Sequence, residues 1–148
     1  MQELHADRSF FDWLRQLSAH YGDAMAIWGQ VVHAAVADGA EGLAALITAT
    51  DSAIDRLVAL LMAVGARHEA PNTPKGGDEV LDALDRLLGA SADLLRDARS
   101  GLAREGISAL GALAPRITAL RAFEGEVEAA TGRIQERLAD TYGDPGKP

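Results

Sequence analysis

The sequence predicts an all-α fold, an antiparallel up-down-up-down four-helix bundle. Three observations carry that expectation. Apolar residues recur every three or four positions through four long stretches, the spacing of a helix with one buried side. Short segments marked by Gly, Pro, Asn and Asp separate those stretches. The 148 residues suit one domain, and a chain of that size buries roughly 70% of the surface it exposes when unfolded.

Helix 1 is expected at about 7–37. One stripe collects Phe10, Trp13, Leu14, Leu17, Tyr21, Ala24, Trp28, Val31, Val32 and Ala35. Asp12, Arg15, Ala19, Asp23, Ala26, Gln30 and Ala37 fall opposite. Residues 10–33 hold five of the chain's seven aromatic side chains and two of its four histidines. Phe10, Trp13, Tyr21 and Trp28 share one arc, which makes them core anchors of large area. Phe11 projects about 100° away, where it either extends the core margin or reaches a partner.

Helix 2 is expected at about 40–67, with Asp38 as its cap and Glu41 reaching back in a variant of the capping box. Leu43, Leu46, Ile47, Ile54, Leu57, Val58, Leu61 and Val64 face inward. Its middle, TATDS, carries short polar side chains that compete for backbone hydrogen bonds, and a bend is expected near 49–52. The loop 68–77, HEAPNTPKGG, follows. Helix 3, at about 78–105, opens with Asp78 at its positive end. It presents Val80, Leu81, Leu84, Leu87, Leu88, Leu94, Leu95, Ala98 and Leu102, with Asp82, Asp85, Asp93 and Arg96 outside.

The third turn has two candidates, Ser100-Gly101 and residues 106–108. The second gives four helices of comparable length, with Gly106 ending one and Ser108 capping the next. Helix 4 then spans about 108–141 with a slight kink at Pro115, and 142–148 form a frayed tail. A helical hairpin that dimerises, or a longer helix 3 with another crossover, are the competing architectures.

Composition narrows the chemistry. The net charge is −8, with 12 arginines and only Lys75 and Lys147 as lysines. That field opposes nucleic-acid backbones and anionic membrane surfaces. The absence of cysteine removes disulfides, thiolate ligands and cysteine nucleophiles. The opening MQELHADRSF lacks a signal-peptide pattern, and the apolar run 57–66 is about half a membrane span. The expected location is cytoplasmic. No Glu has a His three positions on, and neither a Gly-Lys-Ser/Thr loop nor a His-Glu-x-x-His pattern occurs. No catalytic residue, cofactor or metal ligand set is therefore expected, and an enzyme is the last choice. The acidic pairs Asp51/Asp55, Asp78/Asp82 and Glu124/Glu128 read as solvated faces. His33 falls on the polar side, and His68 is expected to meet the carbonyls that end helix 2.

Helix 4 offers a second face. Behind its inward stripe of Leu110, Leu113, Ile117, Leu120, Phe123, Val127, Ile134 and Leu138 runs a row of small residues. These are Gly111, Ala114, Thr118, Ala122, Gly125, Ala129 and Gly132, with Arg121, Glu128 and Glu136 alongside. Each interior Gly costs about 1 kcal/mol of helix stability, and a row without side chains lets another helix approach closely. The leading expectation is a non-enzymatic, acidic interaction or accessory protein working through helix–helix contacts, with a protein partner or itself as a homo-oligomer. The alternative is a small-molecule carrier or sensor with a pocket at Trp13, His20, Trp28 and Thr50. A coat protein that opens onto a surface is a weaker third.

Overall fold

The structure, a computed structural model, describes residues 2–71 and 73–142. Among these are four α-helices: α1 (Gln2–Asp38), α2 (Leu43–Glu69), α3 (Gly77–Glu105) and α4 (Ala114–Tyr142). A 3-10 turn at Gly39–Gly42 joins the first two, and a 3-10 segment at Gly106–Ala112 precedes the last. No helix among the described residues is long and apolar enough to cross a membrane. The predicted all-α bundle is what the chain forms.

The direction of each helix follows from which residues meet. Trp28 bonds Thr50, and Arg67 lies over Phe10 and Trp13, so α2 descends as α1 ascends. His68 meets Asp85 while Asp51 meets Arg99, reversing α3 against α2. Arg116 with Asp97, Arg86 with Glu126 and Glu79 with Arg133 reverse α4 against α3. The same order joins α1 to α4 through Asp7–Arg137 and Tyr21–Glu124. Up-down-up-down topology follows.

The spacing of buried positions explains the side-by-side packing. On α1, residues 7, 10, 14, 17, 24, 28 and 35 are buried and 21 and 31 half-buried, in alternating steps of three and four. That mean of 3.5 keeps one seam against a neighbour along the whole helix. α3 is buried on two sides because it packs against both α2 and α4. Every inward residue predicted for it is buried, and Ala83, Ser91, Ala92 and Gly101 join them. α4 is the lightest contributor, with Leu120, Ala130 and Ile134 fully buried and Phe123, Val127 and Leu138 half-buried. Ile117, predicted inward, is 42% exposed. Phe11 packs edge-on to Phe10 at the core margin.

Four sequence expectations need correction. α1 begins at Gln2 and runs 37 residues against 27 to 29 in the others, so the helices are unequal. Asp38 closes α1; the residue before α2 is Gly42, which has no side-chain cap. A Cβ on Gly42 would lie 2.6 Å from the Ala35 Cα, and that close approach is what the turn selects. α4 begins at Ala114 instead of 108. Gly106, at φ +70°, ends α3 as expected, but the chain then coils in 3-10 form and Ser108 Oγ donates to Glu105 O at 2.8 Å. Pro115 thus sits in the first turn of α4, where its missing N–H would have no partner anyway, and no kink is required. Gly101, which suggested a rival turn, lies inside α3: a Cβ there would stand 3.0 Å from that of Ala109, so its bareness lets the 3-10 segment fold back.

Two expectations rest differently. α2 runs unbroken through TATDS. The tail expected at 142–148 lies outside the described residues, apart from Tyr142, which ends α4.

Candidate functional site

The candidate carrier pocket can be built residue by residue. Trp28 is 4% exposed, and its indole Nε1–H donates to Thr50 Oγ1 at 3.0 Å. Thr50, fully buried, donates its own O–H to Leu46 O at 2.7 Å. A polar residue on a core seam is tolerated because both of its roles are filled, as buried polar groups require. Trp13 belongs to another layer. It lies 15 residues from Trp28, about 22 Å along the axis at 1.5 Å per residue. There it stacks obliquely on Phe10 at 5.7 Å, with the Arg67 guanidinium 5.2 Å above its ring. His20 is exposed. The structure brings Trp28 and Thr50 together and leaves Trp13 and His20 apart from them, so the four residues do not converge.

Between these layers lies a three-helix polar contact. The Tyr21 hydroxyl sits 3.3 Å from Ser91 Oγ and 3.5 Å from Glu124 Oε1. The Ser91 hydroxyl also lies 2.8 Å from Leu87 O, within reach of donating to it. Burial, followed by the nearby Glu124 charge, pushes the Tyr21 hydroxyl above its ordinary range, while the Ser91 hydrogen bond pulls the other way. At the end of the bundle the buried Asp7 and the half-buried Arg137 meet at 3.6 Å on the α1/α4 seam. These groups tie helices together.

The small-residue row of helix 4 is on the outside. Ala114, Thr118, Ala122, Gly125 and Ala129 are exposed and Gly132 half-buried. Gly111 is exposed too, but it lies in the 3-10 segment and not on α4, so the helical row begins at Ala114. A Cβ added at Gly125 or Gly132 would meet nothing within 4 Å. Nothing among the described residues therefore calls for glycine at either place. Arg121, Glu128 and Glu136 are exposed beside the row.

A second row, which the sequence reading passed over, lies on α1. Ala19, Gly22, Ala26 and Gly29 are all exposed. Their spacing, A-x-x-G-x-x-x-A-x-x-G, is identical to that of Ala122, Gly125, Ala129 and Gly132. Gly22 and Gly29 likewise have open space where a Cβ would stand. The face around them is poor in charge: between Gln16 and Ala37 the only Asp, Glu, Lys or Arg is Asp23, in a chain that is 24% charged. Ile27 and Val36, 48% and 59% exposed, flank the row. The gap in charge was the readable signal; the strong aromatic stripe on the other side of the same helix drew the eye from it.

The histidines and acidic pairs complete the inventory. His68 reaches across to α3, with Nε2 at 2.8 Å from Asp85 Oδ2 and 3.8 Å from Asp82 Oδ1, instead of turning to the α2 carbonyls. His33 is exposed. Asp51 pairs with Arg99, whereas Asp55, Asp78 and Glu128 are exposed. No family model, curated protein or solved structure matches the chain.

Proposed function

We propose that the protein is a non-enzymatic interaction module that associates through the outer faces of its first and last helices, with a second copy of the chain as the first partner. The observation that carries this reading is the repeated Ala/Gly spacing on α1 and α4, exposed on both save for the half-buried Gly132 and charge-poor on α1. Four interior glycines without a steric need each cost about 1 kcal/mol relative to alanine. Close approach of another helix offsets that cost by bringing backbone atoms into dispersion contact. Matching spacing on two helices of one chain supports a partner that carries the same pattern, namely the chain itself. An acidic surface keeps the remainder soluble and disfavours random contact.

The test is solution mass by sedimentation equilibrium over a range of concentrations, for the parent chain and for a Gly125→Glu, Gly132→Glu double variant. The parent is expected to self-associate and the variant to shift towards monomer while keeping its helical circular dichroism. A parent that stays monomeric at millimolar concentration, or a variant that associates equally well, refutes the proposal.

A further inference from the structure

We propose that His68, Asp82 and Asp85 bind a single divalent cation of the zinc type, bridging the end of α2 to the first half of α3. The three ligand atoms lie within 4.8 Å of one another and come from two helices packed together. Asp82 and Asp85 are three apart on α3 and so project on one side, one above the other. His68, in the last turn of α2, presents Nε2 to both. Ligands at the usual 2.0–2.2 Å from zinc stand about 3.3 Å from each other in a tetrahedron. The 2.8 Å and 3.8 Å separations from Nε2 bracket that value.

Hydrogen bonding alone leaves the group incomplete. Nε2 can offer at most one N–H, and only Asp85 at 2.8 Å is placed to accept it; Asp82 at 3.8 Å is beyond hydrogen-bond range. Among the described residues no arginine or lysine pairs with either of these two carboxylates, and His68 is the partner of both. Other α3 carboxylates take arginine partners: Glu79 with Arg133, Asp93 with Arg96, Asp97 with Arg116. A dication balances two carboxylates at once, and an imidazolium only one. The donor set of one imidazole and two carboxylates suits zinc and its transition-metal neighbours better than calcium or magnesium, which prefer oxygen throughout. The side chains are 29%, 61% and 42% exposed for His68, Asp82 and Asp85, so water completes the shell and the ion has a free path. Its role would be a clip between α2 and α3, independent of the helix-face association proposed above.

The experiment uses the untagged, chelator-stripped full chain, titrated with Zn2+ by calorimetry and followed by thermal unfolding with and without the ion. One equivalent is expected to bind saturably and to raise Tm, because the ion binds the folded state selectively. His68→Gln and Asp82→Asn are each expected to weaken binding at least tenfold and to abolish the Zn2+-dependent rise, with helicity unchanged. His33→Gln, on the exposed side of α1, is expected to bind as the parent does. Absence of saturable one-equivalent binding, or equal affinity in His68→Gln, overturns the site.

Discussion

Replacing Thr50 by valine isolates one atom in the centre of the bundle. Valine has the same shape, so packing against α1 is kept and only the hydroxyl is lost. Leu46 O keeps its helical N–H donor. The Trp28 indole N–H, now 3.0 Å from a methyl in place of an oxygen, has no acceptor in a site where both residues are almost wholly buried. An unsatisfied buried donor costs about 1–3 kcal/mol. At about 2–4 °C per kcal/mol for a domain of this size, Tm should fall by roughly 2–12 °C. Trp28→Phe removes the donor and leaves a void, for about 2–3 kcal/mol. In the double variant the orphaned N–H no longer exists, so the loss should fall short of the sum by about 1 kcal/mol or more. Chemical denaturation of the four proteins closes the cycle. A Thr50→Val protein as stable as the parent, or strict additivity, would show that the indole is not paired as described and would reopen this layer as a ligand pocket.

Glycine substitutions should separate by sign. Gly42→Ala places a Cβ 2.6 Å from the Ala35 backbone and should cost about 1–3 kcal/mol; Gly89→Ala, with open space inside α3, should gain about 0.5–1 kcal/mol in urea melts. Arg137→Ala strands the buried Asp7 carboxylate and should cost on the order of 3 kcal/mol, whereas an Asp7→Leu, Arg137→Met pair should recover most of it; equal losses in both would contradict the pairing. The Tyr21 hydroxyl titrates higher in the folded chain than its ordinary 10.0, so its contribution is complete below pH 10 and lost as pH rises beyond it. Tyr21→Phe should therefore flatten the alkaline fall in Tm measured from pH 9 upward, and an unchanged slope would assign that fall to other groups.

Helix positions and the core of α3 were readable because they depend on local periodicity, which a single sequence carries in full. Leu81, Leu88 and Leu95, seven apart on one stripe, are placed inside by spacing alone and are fully buried. The two junctions were less legible because close approach decided them. Gly42 and Gly101 are bare to admit Ala35 and Ala109, contacts between residues that no spacing rule links. Asp7 was missed because a carboxylate on a core seam is explained only by Arg137, 130 positions away. The His68 cluster escaped for the same reason, since its members belong to two helices and match no linear motif. The α1 row, by contrast, was present in the sequence and needed only a search for missing charge.

Since the chain has no cysteine, engineered thiols report proximity cleanly, and intermolecular disulfide formation is the most direct measurement of whether the bare helix faces meet. Single variants Gly22→Cys and Gly125→Cys, their combination, and an exposed control Arg104→Cys would be oxidised under identical conditions. A disulfide requires Cα atoms within about 7 Å. The row positions, alone or paired, should therefore cross-link far faster than the control. Cross-linking no faster at the rows than at Arg104→Cys would contradict association through these faces.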